Sequence, residues 1–112
     1  MHASRLPALV LAALGASIAL ELVAPTARAA DTAAAVAQGR DLYQQYCESC
    51  HGPDMVTSSK LVFDLRQFPK SEPERFRNAV LNGKGGMPAW RDQLSPEDVA
   101  SLWAYVQSGQ AR

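Results

Sequence analysis

Cys47-Glu48-Ser49-Cys50-His51 is the stretch from which the rest of the chain is read. Two cysteines separated by two residues and followed by histidine form the pattern for covalent attachment of a c-type haem. The thiols add across two vinyl groups of the porphyrin, and the histidine supplies an iron ligand. The spacing has a physical basis: one helical turn carries both sulfurs to one side of the ring and aims the next imidazole at its centre. Two other readings of a C-x-x-C pair stand beside this one. A thioredoxin-like redox pair follows a strand in a βαβ unit, and half of a zinc site needs further Cys or His. The whole chain holds two Cys and two His, a composition that favours haem.

Upstream of the motif, His2 and Arg5 make a weakly basic start, Leu6 to Leu20 is an apolar run, and Ala27-Arg28-Ala29 has the small-x-small form of a cleavage site. The expectation is a secretory signal peptide over 1–29, cut after Ala29. The apolar run is closed by Glu21 and is short for a spanning helix, which needs about 20 residues. An uncleaved anchor is the alternative. Residues 30–112 then form one small domain. Eleven Lys and Arg balance eleven Asp and Glu, so there is no basic excess to suggest nucleic-acid binding. A domain this small is marginally stable unless stapled. Both cysteines lie in the motif, so the haem itself is the expected staple.

Along this domain, Ala30 to Ala35 read as a frayed start. A helix follows from about Ala33, where Val36, Gly39, Leu42, Tyr43 and Tyr46 recur at threes and fours and lead into Cys47. Gly39 inside it costs about 1 kcal/mol relative to Ala, which points to close approach by another helix. Gly52-Pro53-Asp54 ends the motif's turn. Met55 to Phe68 reads as an irregular loop whose Val62, Phe63, Leu65 and Phe68 wrap the haem. Ser71-Glu72-Pro73-Glu74 has capping-box form and opens a helix with Phe76, Ala79 and Val80 inward, stopped by Gly83. Lys84 to Trp90 is a loop. Ser95-Pro96-Glu97-Asp98 opens a last helix with Val99, Leu102, Trp103, Tyr105 and Val106 on its apolar side. The fold class is all-α.

An iron held by His51 has a second axial position to fill. His2 leaves with the leader, so bis-His ligation within the domain is excluded and Met55, Met87 or a lysine remain. Met55 lies four residues from His51, a reach of roughly 14 Å at full extension that barely rounds the porphyrin rim. Met87 lies on a glycine-rich loop beyond a helix and can reach the opposite face without strain. There Gly85 and Gly86 allow close approach and Pro88 stiffens the chain. Met87 is the expected ligand; the other reading is a core methionine under Trp90.

These residues resemble the class I cytochrome c family across the whole of 30–112. Gly39 and Tyr43 stand eight and four residues before the first haem cysteine, as in the family's N-terminal helix. Leu102 and Tyr105 match the pair with which its C-terminal helix crosses that glycine. The resemblance implies N- and C-terminal helices crossing beside a covalent haem c, with one or two shorter helices and loops around it. Phe63 to Pro69, Asn82-Gly83-Lys84 and Gly86 to Trp90 look like the small monohaem cytochromes that accept electrons from periplasmic quinoprotein alcohol or methanol dehydrogenases. One departure stands out. Many members place a proline nine to twelve residues after the haem histidine, and its carbonyl orients the imidazole. Lys60 to Phe63 occupy those positions here, so the resemblance assigns no acceptor to His51. By the same resemblance Arg66 and Trp90 are candidate donors to a haem propionate, against a surface ion pair for Arg66 and plain packing for Trp90.

The function expected from this reading is one-electron transfer in the periplasm, with haem c on Cys47 and Cys50 and iron held by His51 and Met87. No residue is expected to act as a catalyst. A dehydrogenase is the expected donor, a terminal oxidase or another cytochrome the acceptor, and the domain is expected to be monomeric and not membrane-inserted once the leader is cut. A gas-binding or peroxidase-like protein with a labile Met87, or a fixed cytochrome subunit of a dehydrogenase, are the alternatives.

Overall fold

The computed structural model describes Gly15 and residues 25–109. Most of the expected leader lies outside the described residues. Among those that are described, the regular elements are all helical: α1 (Pro25–Tyr46), α2 (Glu48–His51), α3 (Pro73–Asn82) and α4 (Pro96–Gly109). Two 3₁₀ turns, Pro53–Met55 and Leu65–Gln67, lie between α2 and α3. Among the described residues the only pairing of β type is a single antiparallel bridge between Lys84 and Met87. This is the all-α class expected.

Helix α1 begins at Pro25, upstream of the start expected near Ala33, and Ala30 to Ala35 are helical rather than frayed. Their composition explains it, since alanine has the highest helix propensity and proline is tolerated in a first turn. Residues 28–34 are exposed, so this extension rests on local propensity rather than on packing. From Val36 onward the helix leans on the rest of the molecule.

The junction of α1 with α4 centres on Gly39. A methyl added there would meet the Ser101 carbonyl oxygen, and would lie 2.6 Å from its carbonyl carbon and 2.9 Å from Tyr105 Cβ. The two backbones are therefore closer than any side chain on Gly39 permits, as the sequence suggested. The residues opposite the glycine are Ser101 and Tyr105, four apart; Leu102 is buried at 1% exposure in the adjoining core. One turn along α1, the Tyr43 ring packs on that of Tyr105 with centroids 5.2 Å apart.

A second part of the core joins α3, α4 and the Leu65–Gln67 turn through aromatic rings. Phe68 packs edge-on against Phe76 at 5.6 Å and against Trp103 at 5.7 Å, and Phe76 meets Trp103 at 5.1 Å. Arg75 lies 5.1 Å over the Phe68 ring, within cation–π range. Phe68, expected as a haem-wrapping residue, thus has its ring engaged by protein.

The helix starts divide between expectation and correction. At α4 the capping box forms: Asp98 N–H donates to Ser95 Oγ at 3.1 Å, and Ser95 N–H donates to Asp98 Oδ2 at 3.0 Å. At α3 it does not. Glu72 takes the N-cap position without a side-chain cap, and its carboxylate is drawn instead to Arg75 Nη1 at 2.6 Å. Gly83 ends α3 as expected, with φ of 77°.

Candidate haem-binding site

Helix α1 delivers the motif. After Tyr46 the chain coils through one further turn, with Cys47 N–H donating to the Tyr43 carbonyl at 2.8 Å and His51 N–H to the Cys47 carbonyl at 2.9 Å. Tyr43 locks the exit of that turn by donating its hydroxyl to the Gly52 carbonyl at 2.5 Å. Its burial, reinforced by the neighbouring Cys47, holds the phenol far above its ordinary range and thus protonated. Sequence reasoning placed Tyr43 on the buried face but did not foresee this contact, because nothing in the spacing shows where a hydroxyl will end.

Cys47 is half-buried and Cys50 exposed. Burial, and then the charge of Cys50, pushes the Cys47 thiol up to about 11. A redox-active C-x-x-C needs the opposite, a thiol depressed toward neutrality. With no strand ahead of the motif among the described residues, the thioredoxin-like reading loses both its supports. No group of three His, Cys, Asp or Glu gathers among the described residues, which removes the structural-zinc reading.

His51 is half-buried, and its ring Nδ1 lies 3.3 Å from the Phe63 carbonyl. A carbonyl only accepts, so Nδ1 carries the proton and Nε2 presents its lone pair. Burial lowers the imidazole below its ordinary pKa, while the Phe63 contact acts against that shift. The result is a neutral ring with one nitrogen bare, the form that ligates a metal. Phe63 stands twelve residues after His51, the last of the positions where the family's proline was sought. The acceptor is therefore present without the proline, and the register alone could have found it.

The two methionines have different surroundings. Met55 is buried at 3% exposure, with its terminal methyl against Gly109 of α4. It fills the core. Met87 is half-buried in the loop after α3, paired through its backbone with Lys84 at 3.0 and 3.1 Å. Gly85 adopts φ of 56° in that turn, so its missing side chain serves the turn's geometry in addition to any close approach. Trp90 closes the loop: its N–H donates to the Val80 carbonyl at 2.9 Å, and its half-buried ring stands edge-on to Tyr46 at 5.5 Å. Arg66 is exposed and forks onto Asp64, with Nε 2.9 Å from Oδ1 and Nη2 2.8 Å from Oδ2.

Known proteins resemble this chain in sequence. The family described as cytochrome C oxidase, cbb3-type, subunit III matches residues 34–106. Cytochrome c6 of Microcystis aeruginosa is 33% identical over 72 residues, covering 61% of this chain and 89% of that protein. The chain belongs to the class I cytochrome c family. Chloroplastic cytochrome c6 of Chlamydomonas reinhardtii is 36% identical over 100 residues, 84% of this cytochrome and 65% of that one. Quinohemoprotein alcohol dehydrogenase ADH IIB of Pseudomonas putida is 41% identical over 76 residues, which are 65% of this chain. This cytochrome spans 11% of the length of that dehydrogenase and of its relative ADH-IIG. No solved structure matches.

Membership brings a covalent haem c and electron transfer. The residues present fit that group. Two thiols lie within one helical turn, and the imidazole that follows is fixed in the ligating tautomer. The segment after it carries apolar side chains outward, with Val56 at 54%, Leu61 at 97% and Phe63 at 48% exposure.

Proposed function

We propose that this cytochrome is a periplasmic one-electron carrier, exported by the leader 1–29, that takes electrons from a quinoprotein dehydrogenase and passes them to the respiratory chain. Cys47 and Cys50 hold the haem by thioether bonds, and His51 and Met87 hold its iron. The observation that carries the reading is the His51 ring, held by the Phe63 carbonyl so that Nε2 is bare, in the turn that bears both thiols.

The bound haem supplies an iron that cycles between ferrous and ferric; every other task belongs to the chain. Phe63 fixes the His51 tautomer and orientation. Burial of Met55 against α4 leaves Met87 as the thioether on a loop able to reach the opposite face. A Met87 thioether on the iron would favour its reduced state and exclude small ligands. Trp90 is a candidate partner of a propionate, whereas Arg66, the other candidate, has its Nε and Nη2 on the Asp64 carboxylate. Cleavage after Ala29 leaves Gly39, Tyr43 and all of the α1 surface that meets α4, so export does not compromise the fold. No helix among the described residues is long and apolar enough to cross a membrane.

The likeness to ADH IIB supports a dehydrogenase as partner, and it also favours a second reading, a cytochrome bound permanently to such an enzyme. Gel filtration of the native periplasmic fraction separates the two: a carrier elutes alone, a subunit with its enzyme. The central test is an optical spectrum of haem-loaded protein, oxidised, reduced, and reduced under carbon monoxide. A low-spin spectrum with a weak red charge-transfer band and indifference to carbon monoxide is expected. A high-spin spectrum that shifts with the gas overturns the His51–Met87 assignment in favour of ligand binding.

A further inference from the structure

The Phe63 carbonyl that fixes His51 belongs to the peptide unit between Phe63 and Asp64, so its direction follows the ψ of Phe63 and the φ of Asp64. A proline at position 63 would fix φ of that residue, which does not bound this unit. Here the restraint falls on the Asp64 side of the unit itself. Asp64 sits at φ −72° and ψ 104° as the cap of the Leu65–Gln67 turn. Its Oδ1 accepts from the Arg66 backbone N–H at 3.0 Å and from Arg66 Nε at 2.9 Å. Its Oδ2 accepts from Arg66 Nη2 at 2.8 Å, and its carbonyl accepts from Gln67 N–H at 3.0 Å. Arg66 thus grips both carboxylate oxygens, a bidentate geometry that fixes orientation as well as distance. On the near side, the Phe63 ring rests edge-on against Phe68 at 5.8 Å. The peptide unit between these anchors has little freedom to swing.

We infer that the Asp64–Arg66 fork is a positioning device for the haem histidine: by clamping Asp64 it holds the 63–64 peptide unit in one orientation and aims the Phe63 carbonyl at His51 Nδ1. The inference rests on His51 being the iron ligand. It assigns Arg66 a task other than bonding a propionate, and makes Asp64, which no motif singled out, part of the site. A stronger Nδ1–H···O=C bond gives the imidazole more anionic character and stabilises ferric iron, so the fork acts on the potential through His51.

The test uses the haem-loaded full chain in its reduced, diamagnetic state. The hydrogen-exchange rate of the His51 Nδ1 proton is followed by NMR in the parent, Asp64→Asn, Arg66→Gln, Arg66→Lys and the Asp64→Asn/Arg66→Gln pair. Each variant is expected to exchange about two- to tenfold faster, the range a weakened hydrogen bond allows, and the pair no faster than the quicker single variant. Arg66→Lys is decisive, because it keeps the positive charge and loses the fork. Parent-like exchange in Arg66→Lys or in Asp64→Asn overturns the proposal, as does a pair whose effects multiply. If Asp64→Asn is silent and Arg66→Gln alone shifts the potential, Arg66 acts directly on the haem. The optical spectrum of the parent reports His51 ligation independently: failure there removes both readings, whereas unchanged exchange on a low-spin parent removes the fork alone.

Discussion

At the residue scale, the site is governed by how individual polar atoms are satisfied. Tyr43 joins α1 to the end of the haem turn through the Gly52 carbonyl. Removing that hydroxyl leaves a part-buried acceptor without its donor, and Tyr43→Phe is expected to cost about 1–3 kcal/mol in denaturant unfolding. The same residue gives the protein an alkaline limit. Its folded-state pKa is raised by burial, so its contribution is full below the ordinary tyrosine value near 10 and is lost as pH rises above that value, because the unfolded chain releases the proton first. Between pH 8 and pH 11 the parent should therefore lose more stability than Tyr43→Phe. Equal losses in both would remove the ionisation argument. If Met87 holds the iron as proposed, Met87→Ala is expected to leave the porphyrin attached while opening the iron to carbon monoxide. An unchanged spectrum would move the ligand role to another side chain.

At the scale of elements, the α1–α4 junction is set by what Gly39 lacks. Any Cβ there runs into the Ser101 carbonyl, which is backbone and cannot turn aside. Gly39→Ala is expected to force the helices apart and to cost 1–3 kcal/mol or more of unfolding free energy, although alanine improves helix propensity by about 1 kcal/mol. Gly109→Ala is the control: its methyl meets the end of the flexible Met55 side chain, so a much smaller loss is expected. A stable Gly39→Ala protein would show that the junction yields more readily than this geometry implies. Helix starts divided by which residue takes the N-cap position. The α4 cap was legible because Ser95 takes it and Asp98, three residues on, returns the bond. The α3 cap was not, because the helix starts one residue later than the Ser71–Glu74 pattern requires, with Glu72 at the N-cap and no side-chain cap. The early start of α1 was missed for a different reason: the apolar pattern begins at Val36, whereas the propensity of the alanines acts with no pattern at all.

For the whole molecule, the covalent anchor and the fold depend on one another. The motif, the crossing glycine and the last helix were legible because each is a short-range pattern with one physical meaning. The Phe63 carbonyl had only its register, twelve residues after His51, as a signal, since a backbone acceptor has no residue signature, and the Asp64–Arg66 fork had none, since an Asp-x-Arg pair reads equally as surface charge. What remains to be accounted for is stability. The described core holds ten buried apolar side chains, drawn mainly from α1, α3 and α4, and the segment between α2 and α3 has two short 3₁₀ turns and three outward-facing apolar residues as its structure. A domain of this size buries a smaller fraction of its surface than a large one and commonly needs a staple. With both thiols reserved for the porphyrin, no disulfide can serve, and the apolar plate of the haem is the remaining source of burial. Cys47→Ser combined with Cys50→Ser is therefore expected to abolish covalent haem and to yield a chain with reduced helix content, no cooperative thermal transition and rapid proteolysis between Gly52 and Pro73. The measurement is circular dichroism with limited proteolysis on the double variant beside the haem-loaded parent. If the variant keeps a sharp transition, the α1–α4 junction and the Phe68–Phe76–Trp103 cluster suffice by themselves, and the haem is cargo on a finished scaffold rather than part of its core.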